Sequence, residues 1–412
     1  MTIQEEYQAR LKRVQDAVNL TEPDRVPIVP QVQSFPLQMA GYTVQECMED
    51  WRKAGEAYDV FYKKFKPDMG RGPVLFYPTQ YMEAVDVKFL RWPGNQIDDP
   101  NSIYQFIDDA YMDEDEYHEA ARDITKFMMN KWIPRTFTKL EAFSKLNFRS
   151  SMWFGHMQLF ETMAQPDVKQ AIMSAISAGE VLLDWEVYMA EYMKHLKCDF
   201  GIPNCEAGSA FAPMDLIGDS LRGTYGILTD MLEYGDEMLE LIDVMTDLTI
   251  EDTIKACKGK DTPYVWFWLH KGLDLFMSNE NFAKFYWPSL RKFIYALVDA
   301  DLVPVLYAEG SFNSRLEYFA EVPPKKVIYN FETVDMKRAK EVLGDVACIS
   351  GNVPPHMLAY GKKQDVVDYC KWLIDTCAPG GGFIMDTAVI VDNAKEENME
   401  AMFDTTLTYG VR

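Results

Sequence analysis

The sequence predicts an α/β fold, a (β/α)8 TIM barrel with an N-terminal helical elaboration, and three observations predict it. From Cys198 onward, apolar strand-like runs alternate with amphipathic helical runs, the pattern of parallel strands covered by helices. Earlier strand-like runs near residues 26 and 74 extend the series. No GxGxxG follows a strand, so the main signature of a doubly wound open sheet is missing.

Each element follows from local pattern. The opening "MTIQEEYQARLKRVQDAVNL" mixes charges with apolar residues at helical spacing and has no signal-peptide core. "DRVPIVPQVQSF" (Asp24 to Phe35) predicts a strand flanked by prolines. Residues from about 40 to 200 are predicted mostly helical, on "TVQECMEDWRKAGEAYDVFYKKF" and "QAIMSAISAGEVLLDWEVYMAEYMKHL". Between these, "GPVLFYPTQYMEAVDVKFLRWPG" reads as strand-like, ended by Pro and Gly. Then the strands "YVWFWLH", "LVPVLYAEG", "KVIYNFET", "VACISGN" and "GGFIMDTA" alternate with helices up to "AKEENMEAMFDTTLTYG". With no low-complexity linker and no short repeat, residues 1–412 are read as a single domain with its helical insertion at about 40–200.

Composition narrows the function classes. Acidic side chains outnumber basic ones by 64 to 41, a net charge of −23 that suits a neutral or cationic small substrate and excludes a phosphate-gripping nucleic-acid binder. No run of about 18 apolar residues exists, so no membrane span is expected. The seven cysteines (47, 198, 205, 257, 348, 370, 377) form no CxxC pair and no zinc-ribbon spacing. Reduced thiols in a cytoplasmic protein are the expectation.

In a barrel, chemistry comes from the C-terminal ends of strands. That rule selects Gln31, Gln33 and Ser34, Glu206, His270 and Lys271, Tyr307 and Glu309, Asn330 and Glu332, Ser350 and Asn352, and Asp386. Polar residues at such places also cap the following helix, so position alone does not assign a role. Glu309 stands out because "LVPVLYAEG" is a greasy strand finishing on a carboxylate beside a glycine, a costly placement unless the carboxylate is paired or employed. His270 is the one histidine at the end of a predicted strand.

The segment "GNVPPHMLAYGKKQDVVDYCKWLIDTCAPGGGFIMDTA…EENMEAM" resembles the C-terminal signature of the uroporphyrinogen decarboxylase superfamily. There a GN-x-x-P follows strand seven, a glycine-rich turn precedes strand eight, and E-N-x-x-x-M opens the last helix. "DRVPIVP" is similar to the superfamily's opening strand, especially in its corrinoid-dependent methyltransferase branch. "YMDEDEYHEAARDITKFMMNKWIPRTF" resembles a stretch in less characterised members of that branch. Porphyrinogen decarboxylation implies an arginine-rich clamp after the first strand, and here no basic residue occurs between Arg25 and Arg52. The branch's coenzyme M enzymes carry His-x-Cys-Gly and a later Cys as zinc ligands. Tyr307 and Glu309 occupy the first two positions here, and the last falls near Ala388 and Val389.

The resemblance therefore implies methyl transfer in the other direction. A methyl group leaves a methylated small molecule, an aromatic methyl ether foremost, for the cobalt(I) corrinoid (cobalamin) of a partner protein. No Asp-x-His-x-x-Gly is present to hold a corrinoid on this chain, so the cofactor arrives on the partner. Proton donation to the ether oxygen then falls to Glu309, Tyr307 and His270 as catalytic residues. Gln31, Gln33, Glu332, Asn330, Asn352 and Asp386 are the expected substrate-binding set. Zinc is not required; if a metal binds, His270 and Glu309 are its expected ligands, with Glu332 or Asp386 as the further carboxylate. A decarboxylase-like lyase and a non-catalytic corrinoid- or tetrapyrrole-binding barrel are the alternatives.

Overall fold

A computed structural model describes residues 1–411. It is a mixed α/β fold with a helical N-terminal region and a mostly parallel sheet at its core. In chain order the strands are β1 (Leu90–Pro93), β2 (Gln96–Ile97), β3 (Gln105–Phe106), β4 (Gly208–Phe211), β5 (Tyr264–Leu269), β6 (Val303–Ala308), β7 (Ile328–Phe331), β8 (Cys348–Val353) and β9 (Phe383–Thr387). Strands β4 to β9 pair in sequence order, all parallel, while β1 to β3 form a small separate sheet.

The architecture is TIM-barrel-like, with six regular strands in its parallel sheet among the described residues where eight were expected in the ring. Extended segments continue the ring at both edges. The stretch predicted as the first strand pairs with β9 through the single parallel bridge Ile28–Met385, and Val32 meets Val391 beyond it. Pro27 and Pro30 have no N–H to give, so this stretch cannot hold a continuous ladder.

The second edge corrects the sequence reading. The expected strand near residue 74 is a turn, closed by Val74 on Gly72 and Phe76 on Pro73. Ring pairing lies just upstream, where Gly70 bridges Asn204 and the Asp68 N–H reaches the Ile28 carbonyl. After Pro78 the "TQYMEAV" part of that segment is helix (Thr79–Val85), and "LRWP" is β1. Apolar content suggested a strand, but the prolines on either side of Val74–Tyr77 set turns.

Side-chain alternation divides the core in two. Trp266, Val305, Tyr307, Ile328, Cys348 and Ile384 face the ring interior with Val29, Met69 and Cys205. Phe267, Leu306, Tyr329, Ile349 and Met385 face the helices. The helix Ile3–Val18 plugs one end of the ring with Val14, Ala17 and Val18. It is tied there by Asp68, fully buried, which accepts from Arg13 at 2.6 Å, from Arg25 at 2.7 Å and from the Ile28 N–H at 2.8 Å. The long helix Pro166–Phe200 dominates the elaboration, as predicted. No helix among the described residues is long and apolar enough to cross a membrane.

Candidate active site

His270 leaves the end of β5 and is held by carboxylates from the segment after β4. Buried Asp215 accepts from the backbone N–H groups of His270 (3.1 Å) and Lys271 (2.7 Å) and from the Tyr286 hydroxyl (2.6 Å), fixing where the strand exits. One wide helical turn on, in Gly218–Arg222, Asp219 meets His270 Nδ1 at 2.6 Å and Lys271 Nζ at 2.9 Å. Such π-turns recur at functional sites, because the extra residue re-aims a side chain. Lys271 Nζ also donates to Thr224 Oγ1 at 2.9 Å.

On its other side, His270 Nε2 lies 3.5 Å from Glu309 Oε2. Glu309 directly follows β6, and Gly310, at φ +92°, turns the chain so that its N–H lands on Glu332. The greasy strand finishes on a carboxylate because that carboxylate faces an imidazole. Burial opposes charge on His270, yet Asp219, Asp215 and Glu309 overcome it and push the ring up to about 9. Burial raises the Glu309 carboxyl, His270 opposes the rise, and Glu332 adds to it. At neutral pH the ring is therefore an imidazolium, a proton donor held in place by carboxylates.

His270, Lys271 and Asp219 form the polar wall of a cavity of about 450 Å³. Aromatic rings make up a large share of the remaining walls, with Phe89, Phe106, Trp132 and Phe211 prominent, and Asp108, Thr136, Ser220 and Thr224 add further polar groups. The Phe211 ring meets His270 edge-on at 5.9 Å. Three of these aromatics, Phe89, Phe106 and Trp132, come from the N-terminal helical region, where the sequence reading placed no site residue.

Behind this rim, the ring interior carries a second polar group. Asp386 accepts from the N–H groups of Thr387 (2.7 Å) and Gln31 (3.1 Å), from Asn330 Nδ2 (2.8 Å) and from Ser350 Oγ (3.3 Å). Burial nonetheless pushes it up to about 7. Tyr307 is fully buried, and burial raises its phenol well above the ordinary value.

The expected residues thus separate. His270 and Glu309 touch; Tyr307, Asn330, Asp386 and the Gln31 backbone share the interior; Gln33 is buried beside Tyr104. Glu332 is engaged by Gly310, and Asn352 by the carbonyls of Glu332 and Val334 and by the Tyr369 hydroxyl. Those two hold loops together. Sequence reasoning passed over Asp215 and Asp219, although their i,i+4 spacing in "APMDLIGDS" puts both on one helical face. It also passed over Arg71, a cation buried in the ring that lies outside the interval searched for a basic clamp.

The donor set does not fit zinc. Among the described residues no group of three or more His, Cys, Asp or Glu side chains is arranged to hold a metal ion. His270 and Glu309 offer two donors, and the imidazole's other nitrogen is taken by Asp219.

Comparison with known proteins bears on the whole of this arrangement. The family model described as "Uroporphyrinogen decarboxylase (URO-D)" matches residues 171–409. Among solved structures, the chain is similar to a methyltransferase from Methanosarcina mazei, with a TM-score of 0.60 over 97% of this chain and 98% of that one. At 16% identity this likeness is one of fold. No curated protein matches the chain.

Proposed function

The chain belongs to the uroporphyrinogen decarboxylase family, and from that premise we propose that it is a methyltransferase, built on a (β/α)8 plan, that demethylates an aromatic methyl ether. The acceptor is the cobalt(I) corrinoid of a partner protein in the cytoplasm. One observation carries the reading: a histidine set between two carboxylates, Asp219 at 2.6 Å and Glu309 at 3.5 Å, stands in the wall of a cavity of about 450 Å³ that five aromatic rings also line.

An ether is a poor electrophile because its oxygen leaves as an anion. The cavity volume suits one substituted aromatic ring, which Phe211 and Trp132 would contact face or edge. It does not suit a corrin macrocycle, so the corrinoid is a co-substrate brought to the rim, where it supplies the electron pair that takes the methyl group. As the C–O bond breaks, its electrons stay on oxygen, and His270 gives that oxygen a proton. Asp219 and Lys271 hold the ring's orientation, Glu309 as a carboxylate stabilises the imidazolium before transfer, and solvent returns the proton to the ring afterwards. Tyr307 is a further donor from the ring interior. General acid catalysis of this kind contributes about 10²–10⁴-fold.

The test is to mix the protein with a reduced corrinoid protein and methoxylated aromatics and to follow loss of cobalt(I) absorbance. Loss that requires both protein and ether supports the proposal; none with any methyl ether, amine or thioether overturns it. The family name and Arg71 favour a second reading, a lyase acting on a small carboxylic acid. That reading requires carbon dioxide release without any corrinoid.

A further inference from the structure

A broad apolar surface shares no residue with the cavity at His270. Its first part is the stretch "FRSSMWFGHMQLF", where Phe148, Met152, Trp153, Phe154, Met157 and Phe160 are all exposed, Trp153 by 89%. The helix Gly155–Met163 buries Leu159 alone, in a small cluster with Leu146 and Val168. A helix of nine residues with so little support is marginal in water. Trp153 also stands at φ +60°, where a bulky side chain is strained. Such a segment gains most from a surface laid over it.

The second part is a stripe along the helix Pro166–Phe200, where Met173, Ile176, Leu183 and Val187 are exposed, Leu183 by 64%. With exposed Glu180 and Ala190 they recur at alternating spacings of three and four, the a and d positions of about two and a half heptads. A helix presents such a seam to another helix. The ten large side chains of the two parts are about half to nine-tenths exposed. At about 200 Å² for each one fully exposed, they offer roughly 1,200 Å². The largest apolar patch of a monomer is about 300–600 Å², and a standard interface takes about 800 Å² from each partner.

We infer that the stripe is the seam of a homodimer, in which two copies of the helix Pro166–Phe200 pack antiparallel across a two-fold axis, flanked by the segment 148–160. The stripe matches itself. Antiparallel pairing sets a positions against d positions. Met173 then meets the partner subunit's Ala190, Ile176 the partner's Val187, and Glu180 the partner's Leu183. Every large apolar residue of the stripe gains a neighbour, and Glu180 lays its methylenes on Leu183 while its carboxylate stays in water. At the margins Gln170 faces Glu191 and Ser177 faces Asp184. Lys169 and Lys194 alone meet a like charge, at the exposed ends of the seam, where such a pair weighs little. A patch that is complementary to itself closes with one partner, which selects a second copy over an unrelated protein. Lipid headgroups and nucleic acid are poor occupants, because Glu180, Asp184, Glu186 and Glu191 are exposed on the same helix and the chain carries −23. The seam is independent of the methyl-transfer reading.

Sedimentation velocity of the full chain at micromolar concentration tests the seam, and the native protein is expected at twice the chain mass. Ile176→Glu and Leu183→Glu alter exposed side chains, so each should give a monomer with an unchanged far-UV circular dichroism spectrum. Trp153→Ala should raise the dimer dissociation constant about 10-fold; an unchanged constant overturns the part given to the segment 148–160. Cysteine pairs read the register, in a Cys198→Ser background because Cys198 is exposed. Ile176→Cys with Val187→Cys should oxidise to a covalent dimer. Within one chain the two lie about 16 Å apart along the helix, too far to bridge. Ile176→Cys alone should stay unlinked on a non-reducing gel. A native monomer, a dimer that Leu183→Glu leaves intact, or a link between two copies of Ile176→Cys overturns the antiparallel seam. A native monomer that floats with phosphatidylcholine vesicles would overturn it in favour of a lipid surface.

Discussion

Replacing Asp219 with Asn removes the charge nearest His270 while keeping the side chain's shape. In the native protein the imidazole meets Asp219 at 2.6 Å and Glu309 at 3.5 Å. Burial disfavours the charged ring, but Asp219, Asp215 and Glu309 together lift it from an ordinary 6.5 to about 9. At about 1.4 kcal/mol per tenfold, that rise corresponds to about 3 kcal/mol, cut to roughly 2 by solvent at the ring's open edge. Because the folded value lies above the unfolded one, the contribution is complete below pH 6.5 and is lost as pH rises through about 9. In Asp219→Asn the ring should titrate closer to 6.5, and the stability lost between about pH 6 and pH 10 should shrink by most of that amount. Proton NMR titration of the ring Cε1–H reads the first effect, with the resonance assigned by its absence in His270→Gln. Urea unfolding at the two pH values reads the second. A native His270 that titrates near 6.5, or an Asp219→Asn protein that titrates like the native one, would refute the electrostatic account.

Other perturbations separate chemistry from scaffold. Glu309→Gln should slow methyl transfer by about 10²–10⁴-fold with little change in melting temperature; a native rate would return this carboxylate to a purely structural role. Phe211→Ala removes an edge-on contact beside His270 and should raise KM for an aromatic ether about 10-fold with a smaller change in kcat, measured by initial rates. An unchanged KM would place the ring elsewhere. Asp68→Ala leaves Arg25 without its carboxylate and Arg13 with Asp24 alone, and should cost about 3–5 kcal/mol in urea unfolding, with the helix Ile3–Val18 the first part released. Native-like stability would mean that the triad contributes no net binding between helix and ring.

Much of the scaffold and part of the site could be read from residues alone. Apolar runs of strand length alternating with amphipathic helices identified β5 to β9, because a strand buried on both faces has to be apolar throughout. Strand-end position then pointed to His270 and Glu309. Local pattern failed where prolines decided the backbone. The predicted first strand became an extended segment with isolated bridges, and the greasy run near residue 74 became a turn.

The sequence by itself determined which residues stand at the ends of which strands, since periods of two and of 3.6 are properties of neighbouring residues. Only the tertiary structure decided what each of them meets. Asp219 reaches His270 across 51 positions, Phe89 and Trp132 come from the N-terminal helical region to wall the cavity, and Arg71 arrives in the ring from a segment assigned no role. A group's charge state is set by the burial and the charges around it, summed over elements remote in the chain, and no local pattern encodes that sum.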